Sequence, residues 1–156
     1  MMLSDRLIKM IENHADQLTL GALQSLRTSP HTPSYQSLSQ DDVYQRVYKV
    51  YHDLGRWLAE KTDDALHEWY DQLGEKRFNQ GIPLSEVIWA LILTKYYLRD
   101  YIRIYGLADS ALELHQQQEL YHLLDYFFDR ALLHAARGYE RTAAFHKEEH
   151  ILAGKH

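Results

Sequence analysis

The residues with the most chemical reach in this chain are its ten histidines. His146-Lys147-Glu148-Glu149-His150 sets two imidazoles at i and i+4, one face of a helix, with carboxylates between them. Zinc peptidases use this H-x-x-E-H spacing to hold a metal and activate its water. They also need a third ligand farther along, and the six residues after His150 include no Asp, Glu or Cys. Adventitious metal binding is the most this pair is expected to do. His14 and His134 fall on helix faces that read as interior. Either could ligate a haem or titrate as a buried switch. A core histidine bonded to one of the twelve tyrosines or to a backbone carbonyl is the simpler expectation. Glu119-Leu120-Tyr121-His122 has the Glu-x-x-His spacing of a di-iron bundle, but such a site needs two copies.

The remaining chemistry is sparse. Zero cysteines exclude a disulfide framework, a thiolate nucleophile and c-type haem attachment. No Gly-rich phosphate loop and no G-x-S-x-G elbow is present. The sequence therefore predicts no enzyme, no cofactor and no resident metal. The alternative is a haem- or metal-binding helical sensor using His14, His134 or the His146/His150 pair. Lys95 and Arg99 are a different oddity, two cations beside the most apolar stretch of the chain. Such cations snorkel to water, pair with an acid, or receive an anion, so both are candidate ligand contacts.

Composition narrows the partners. Lys plus Arg is 17 against 22 Asp plus Glu, a net charge of −5, and no basic face for nucleic-acid phosphates is expected. The longest apolar run, Val87 to Leu93, is far short of the ~20 residues that cross a bilayer. The start Met1-Met2-Leu3-Ser4-Asp5-Arg6 lacks the pattern of a secretory leader, so a cytoplasmic location is expected. With 46% hydrophobic and 25% charged residues in 156, the chain reads as one folded domain.

Apolar spacing places the elements that must position these residues. Ser4 caps a first helix to about Arg27, with Leu7, Ile11, Leu18 and Ala22 on one face. Thr28 to Ser39 is a loop, held extended by two X-Pro steps. Ser39 opens a second helix, with Asp42 as a first-turn acid. Val43, Val47, Val50, Leu54 and Trp57 form one stripe of it, and Tyr44, Tyr48, Tyr51 and Leu58 the next. Thr62 is a plausible cap for a third helix to about Asn79. Gly81 and Pro83 mark a turn between helices. Pro83 to Tyr105 shows a heptad-like seam of Leu84, Val87, Leu91, Thr94, Leu98, Tyr101 and Tyr105. The tyrosines of this helix and of the second are expected to meet. Ser110 and Glu113 form a capping box for a last helix whose inner face is Leu120, Leu124, Phe127, Ala131, His134 and Gly138. The expected fold is all-α, an antiparallel bundle of about five helices with a four-helix-bundle-like core. Residues 1–138 form the bundle, and 139–156 are a helical extension or tail.

The stretch from Gly74 to Ala90 resembles the amino-terminal helical domain of RsbRD-type stress-response co-antagonists. The pattern is G-x-x-R-x-x-Q-G-apolar-P-L-x-E, followed by apolar residues and an Arg. Gly74, Arg77, Gln80, Gly81, Pro83, Leu84, Glu86, Ala90 and Arg99 fit it, and Thr32-Pro33-Ser34-Tyr35 resembles the family's upstream loop. The resemblance implies an all-helical, non-catalytic sensory or regulatory input module that changes its interaction state. It also implies structural jobs for the motif: Gly81 and Pro83 make the turn, Arg77 ties down a helix end, and Glu86 offsets a helix dipole. A homodimer is expected, with a regulatory protein as a further partner. Such modules stand ahead of output domains. None follows His156, so a stand-alone member or a fragment cut within a connecting helix is expected.

Overall fold

The computed structural model describes residues 3–59 and 64–154. Among them are seven α-helices and no strand. They are α1 Leu3–Asn13, α2 Ala15–Thr28, α3 Gln40–His52, α4 Leu54–Ala59, α5 Asp64–Asn79, α6 Leu84–Tyr105 and α7 Ala111–Ala153. Pro33–Ser37 adds one 3₁₀ turn inside the long connection. Thr62, the expected cap of the third helix, lies outside the described residues.

Seven helices stand where five are expected because two long ones bend. The first bends at His14, at φ −112° and ψ 21°, and its ring Nδ1 lies 2.8 Å from the Met10 carbonyl oxygen. The second bends at Asp53, at φ −106° and ψ 27°. The bends meet: the Gly55 amide, just past the second, donates to Glu12 Oε2 at 3.1 Å, just before the first. His14 is consequently exposed at a corner, not in the interior.

Capping proceeds as the residue types dictate. The Ser39 hydroxyl accepts from the Asp42 amide at 3.5 Å, and the Ser110 hydroxyl from the Glu113 amide at 3.1 Å. The Glu113 carboxylate reaches back to the Asp109 amide at 3.0 Å. Gly81 alone has positive φ, +76°, among the described residues. It closes α5 with bonds from its own amide to Phe78 and from the Ile82 amide to Arg77.

The interior follows the apolar stripes. On α7 the whole expected face from Leu120 to Gly138 is buried. On α6 the seam holds through Leu98, after which Ile102 is buried and Tyr105 is 62% exposed. Tyr105 lies about five full turns from buried Val87 and so on the same side of the helix. It is exposed as the last residue of α6, where the helix ends at Gly106. The apolar belt Val87–Leu93 is also less central than expected: Ile88, Trp89, Ile92 and Leu93 are half-buried. Trp89 is covered by the connection, where His31 stands edge-on at 4.7 Å.

A close backbone-to-backbone contact joins α5 to α7. A β-carbon on Gly74 would lie 2.1 Å from the Ala135 carbonyl oxygen, and one on Gly138 2.3 Å from that of Asp71. Only hydrogen fits between the two backbones. His67 stacks on His134 at 4.6 Å, and Phe78 meets Tyr139 at 5.3 Å, so the two helices run parallel. α6, which returns between them in sequence, is antiparallel to α7, as Arg99–Asp125 and Gln117–Gly106 show. Asp71 then takes both guanidinium nitrogens of Arg141, at 2.5 and 2.8 Å.

This contact predicts an order of sensitivities. Gly74→Ala or Gly138→Ala forces the backbones apart and should cost about 3 kcal/mol or more. Gly81→Ala meets nothing within 4 Å. It should cost only the ~1–2 kcal/mol of a left-handed residue. Urea unfolding of the three variants checks that order.

Candidate functional site

The motif residues converge on one joint. Arg77, in the last turn of α5, is only 1% exposed. Its Nη1 donates to Asp42 Oδ2 at 2.6 Å and to Gln80 Oε1 at 2.8 Å. Asp42 also receives the Lys76 ammonium, so the first turn of α3 is locked to the last turn of α5. Burial pushes the Asp42 carboxyl up, but the hydrogen bonds from Lys76 and Arg77 outweigh it and hold it below the usual value. Tyr35 lies under the Arg77 guanidinium, 5.6 Å from ring centre to carbon, and burial raises its phenol.

Glu86 makes the matching clamp from α6. It is 6% exposed, and its two carboxylate oxygens accept from the Ser34 amide at 2.8 Å and the Ser34 hydroxyl at 2.6 Å. It thus anchors the 3₁₀ turn, a job beyond the dipole offset expected of it. Within that connection the Thr32 hydroxyl donates to the Leu26 carbonyl at 2.6 Å, closing it onto α2. Pro83 is the cap residue before α6, and Leu84 follows half-buried. The Tyr139 hydroxyl donates to the Ile82 carbonyl at 2.6 Å, tying α7 to the same turn.

Beside this joint is a small interior cavity of about 40 Å³, between α3, α5, α6 and α7. Its walls include Val43, Val47, Leu73, Ala90, Leu91 and Phe128. Two guanidiniums reach its lining, Arg77 and Arg46, and no carboxylate does. No acceptor among the described residues reaches Arg77 Nε, a fully buried atom. Arg46 lies 4.1 Å over the Trp69 ring and donates from Nη1 to the Trp69 carbonyl at 2.9 Å. Burial, and then the Arg77 charge, lower Arg46 to about 10. Sequence reasoning did not single out Arg46 or Asp42 as a partner of Arg77. The signal available was the arginine itself, placed on the buried side of α5.

The other candidate residues are placed elsewhere. Lys95 and Arg99 reach Asp125 on α7, at 3.6 and 2.7 Å, and Arg99 also lies 4.5 Å over Tyr121. Of the α3 and α6 tyrosines only part come together: Tyr44, Tyr48 and His52 stack along α3, while Tyr97, which lies against Gly21 of α2, is close enough to Tyr51 to add to the rise that burial gives its phenol. Tyr51 crosses to α6, donating to the Thr94 carbonyl at 3.0 Å. His146 and His150 stand exposed on α7, and His134 is buried against His67. Among the described residues no three His, Asp or Glu side chains gather as a metal site. No helix of the described chain is long and apolar enough to cross a membrane.

The fold is thus an all-helical bundle whose motif residues hold its joints. The family model of the RsbT co-antagonist protein RsbRD N-terminal domain matches residues 16–149, and the chain belongs to that family of stress-response signalling domains. No curated protein and no solved structure matched the chain.

The joint has a pH signature. The Asp42 carboxyl lies lower in the folded chain than in the unfolded one, so its contribution is complete above the ordinary value. It is lost as pH falls through the folded value, so the melting temperature should drop as pH is lowered below about 4. Asp42→Ala leaves a buried guanidinium unpaired and should cost about 3–5 kcal/mol at pH 7. Asp42→Asn should lower the pH 7 melting temperature and flatten the acid slope, read by thermal melts from pH 7 to pH 3.

Proposed function

We propose that the chain is a non-catalytic, cytoplasmic input domain that works by helix repacking and homotypic contact, with α7 as the transmitting element. The observation that carries the reading is the continuity of α7. Its inner face is buried from Gln116 to Gly138, and the same helix runs on to Ala153 with no further buried residue. The extension, residues 139–153, is about 22 Å long at ~1.5 Å per residue. A rigid rod clamped at one end carries a rotation or shift of the core to whatever holds its other end.

Two features support a second copy as that holder. The outward side of α7 carries Leu112, Leu123, Tyr126, Leu133 and Ile151, 39–66% exposed, on one helical stripe. Exposed Tyr96 of α6 adds to the same kind of surface. Large apolar side chains in series are more than the single exposed leucines a surface ordinarily shows. The joint around Arg77 gives the core its means of response, because Tyr139 of α7 is bonded to the turn that Arg77 and Glu86 flank. A regulatory protein binding the free end of α7 completes the reading.

Light scattering on the full chain tests it. The expected mass is that of a dimer; removal of residues 143–156, which spares the Tyr139 and Arg141 tethers, should weaken it, and the change Tyr126→Glu with Leu133→Glu should give a folded monomer. A monomer at every concentration, unaltered by truncation, would overturn transmission through a dimer.

A further inference from the structure

The interior cavity between α3, α5, α6 and α7 has polar side chains in its lining, yet the surface it offers a guest is almost wholly carbon. Most of the polar groups are engaged elsewhere. The Thr94 hydroxyl bonds to the Ala90 and Leu91 carbonyls at 3.1 and 2.9 Å, and Tyr51 donates to the Thr94 carbonyl at 3.0 Å. Burial raises the Tyr35 phenol, and the Arg77 guanidinium beside it acts the other way. Arg77 spends its Nη1 on Asp42 and Gln80, and its Nε is fully buried, beyond the reach of a guest. At the rim, Arg46 is drawn over the Trp69 ring and onto the Trp69 carbonyl. The fourth hydroxyl, that of Tyr70, is on a ring set edge-on to Phe127 and has no hydrogen bond among the described residues.

That surface sets the chemistry of what fits. A water is held by about two to four polar partners, and the Tyr70 hydroxyl alone does not supply them. An ion would lose its hydration with no group at the surface to replace it. A carbon body loses nothing on entry, and it restores the dispersion contacts that the wall atoms lack on one side. Size narrows the choice further. The cavity holds about 40 Å³, against the ~10–15 Å³ that one water needs, which admits roughly three or four non-hydrogen atoms.

We propose that the cavity is a binding site for a small, uncharged, apolar molecule of the size of the shortest hydrocarbons, held by van der Waals contact with Val47, Leu73, Ala90, Leu91 and Phe128. The wall nearest solvent is the Arg46–Trp69 pair. Both residues are half-buried, whereas the walls behind them are buried. Both also line an open surface groove of about 280 Å³. A shift of the Arg46 side chain off the indole joins that groove to the cavity. The guest touches α3, α5, α6 and α7 at once, beside the clamp that Asp42 and Arg77 make between α3 and α5. Binding therefore favours the arrangement in which those four helices are closed on one another.

The site is independent of the dimer reading above: a chain that takes up the probe yet stays monomeric keeps this inference and loses that one. The test uses the full chain at pH 7 with isotope-labelled valine and leucine methyl groups, read by nuclear magnetic resonance. Cyclopropane is the probe, and acetamide is a polar molecule of similar size. The Val43, Val47, Leu73 and Leu91 methyls should shift saturably with cyclopropane, while those of Leu3 and Leu7, outside the lining, stay in place. Half-saturation at about 1–10 mM is expected, as a ligand of about three non-hydrogen atoms permits. Acetamide should give no saturable shift. Val47→Ile narrows the cavity by one methylene and should weaken cyclopropane about fourfold. Leu91→Ala enlarges it and should admit benzene, which the unmutated chain excludes. Circular dichroism verifies the fold of each variant. No saturable shift of the lining methyls, equal affinity in folded Val47→Ile, or acetamide binding as tightly as cyclopropane would each overturn the proposal. Exclusion of benzene from folded Leu91→Ala, or shifts spread over the whole chain without saturation, would overturn it too.

Discussion

The fold is organised around one buried charge. Taking a guanidinium out of water costs several kcal/mol, and only close, well-directed partners offset it. Arg77 is almost wholly buried at the end of α5, so the first turn of α3 has to bring Asp42 to it. The turn after α5 has to curl back so that Gln80 shares the load. Once α3 is held there, the connection that precedes it is confined. Glu86 fixes that connection by its Ser34, and Tyr35 closes over the guanidinium. Three segments far apart in sequence are thus positioned by a single cation and the groups that must accompany it.

The glycine contact between α5 and α7 is what lets Arg77 lie so deep. Gly74 and Gly138 allow the backbones to touch, and Arg77 sits one turn beyond that point. α7 is thereby seated along α5 over its middle third, while its first turns rest on α1 through Gln116 and Glu113. Beyond Gly138 it has Tyr139, Arg141 and the His146 ring against Phe78 as tethers, and no buried residue. The helix is firmly held along the core and more lightly held past Gly138. That asymmetry, more than any reactive group, is the mechanical character of the molecule.

Much of this was legible from residue types. Gly81 with Pro83, the two serine caps and the inner face of α7 were each read at their positions, because turns, caps and helical periodicity are local properties. The motif from Gly74 to Glu86 also pointed to the right family. What was misread has a common cause. His14 was placed inside because its spacing matches Leu7 and Ile11, yet a bend at that residue turns the face away. Tyr105 was placed on the α6 seam by the same kind of count, yet it is the last residue of that helix and stands exposed. Both errors come from extending a regular helix face past the point at which packing covers it.

The sequence by itself determined that the chain is helical, where its turns fall, that cysteine chemistry is absent and to which family it belongs. Each of these depends on neighbours within a few residues. Only the tertiary structure decided that Asp42 is the counter-ion of Arg77, that Lys95 and Arg99 close on Asp125, and that α5 lies parallel to α7 at backbone contact. It also decided that two arginines share a small apolar cavity without an acid in its lining. Charge pairing and cavity shape arise from groups tens of residues apart, and a one-dimensional pattern carries no distance between them.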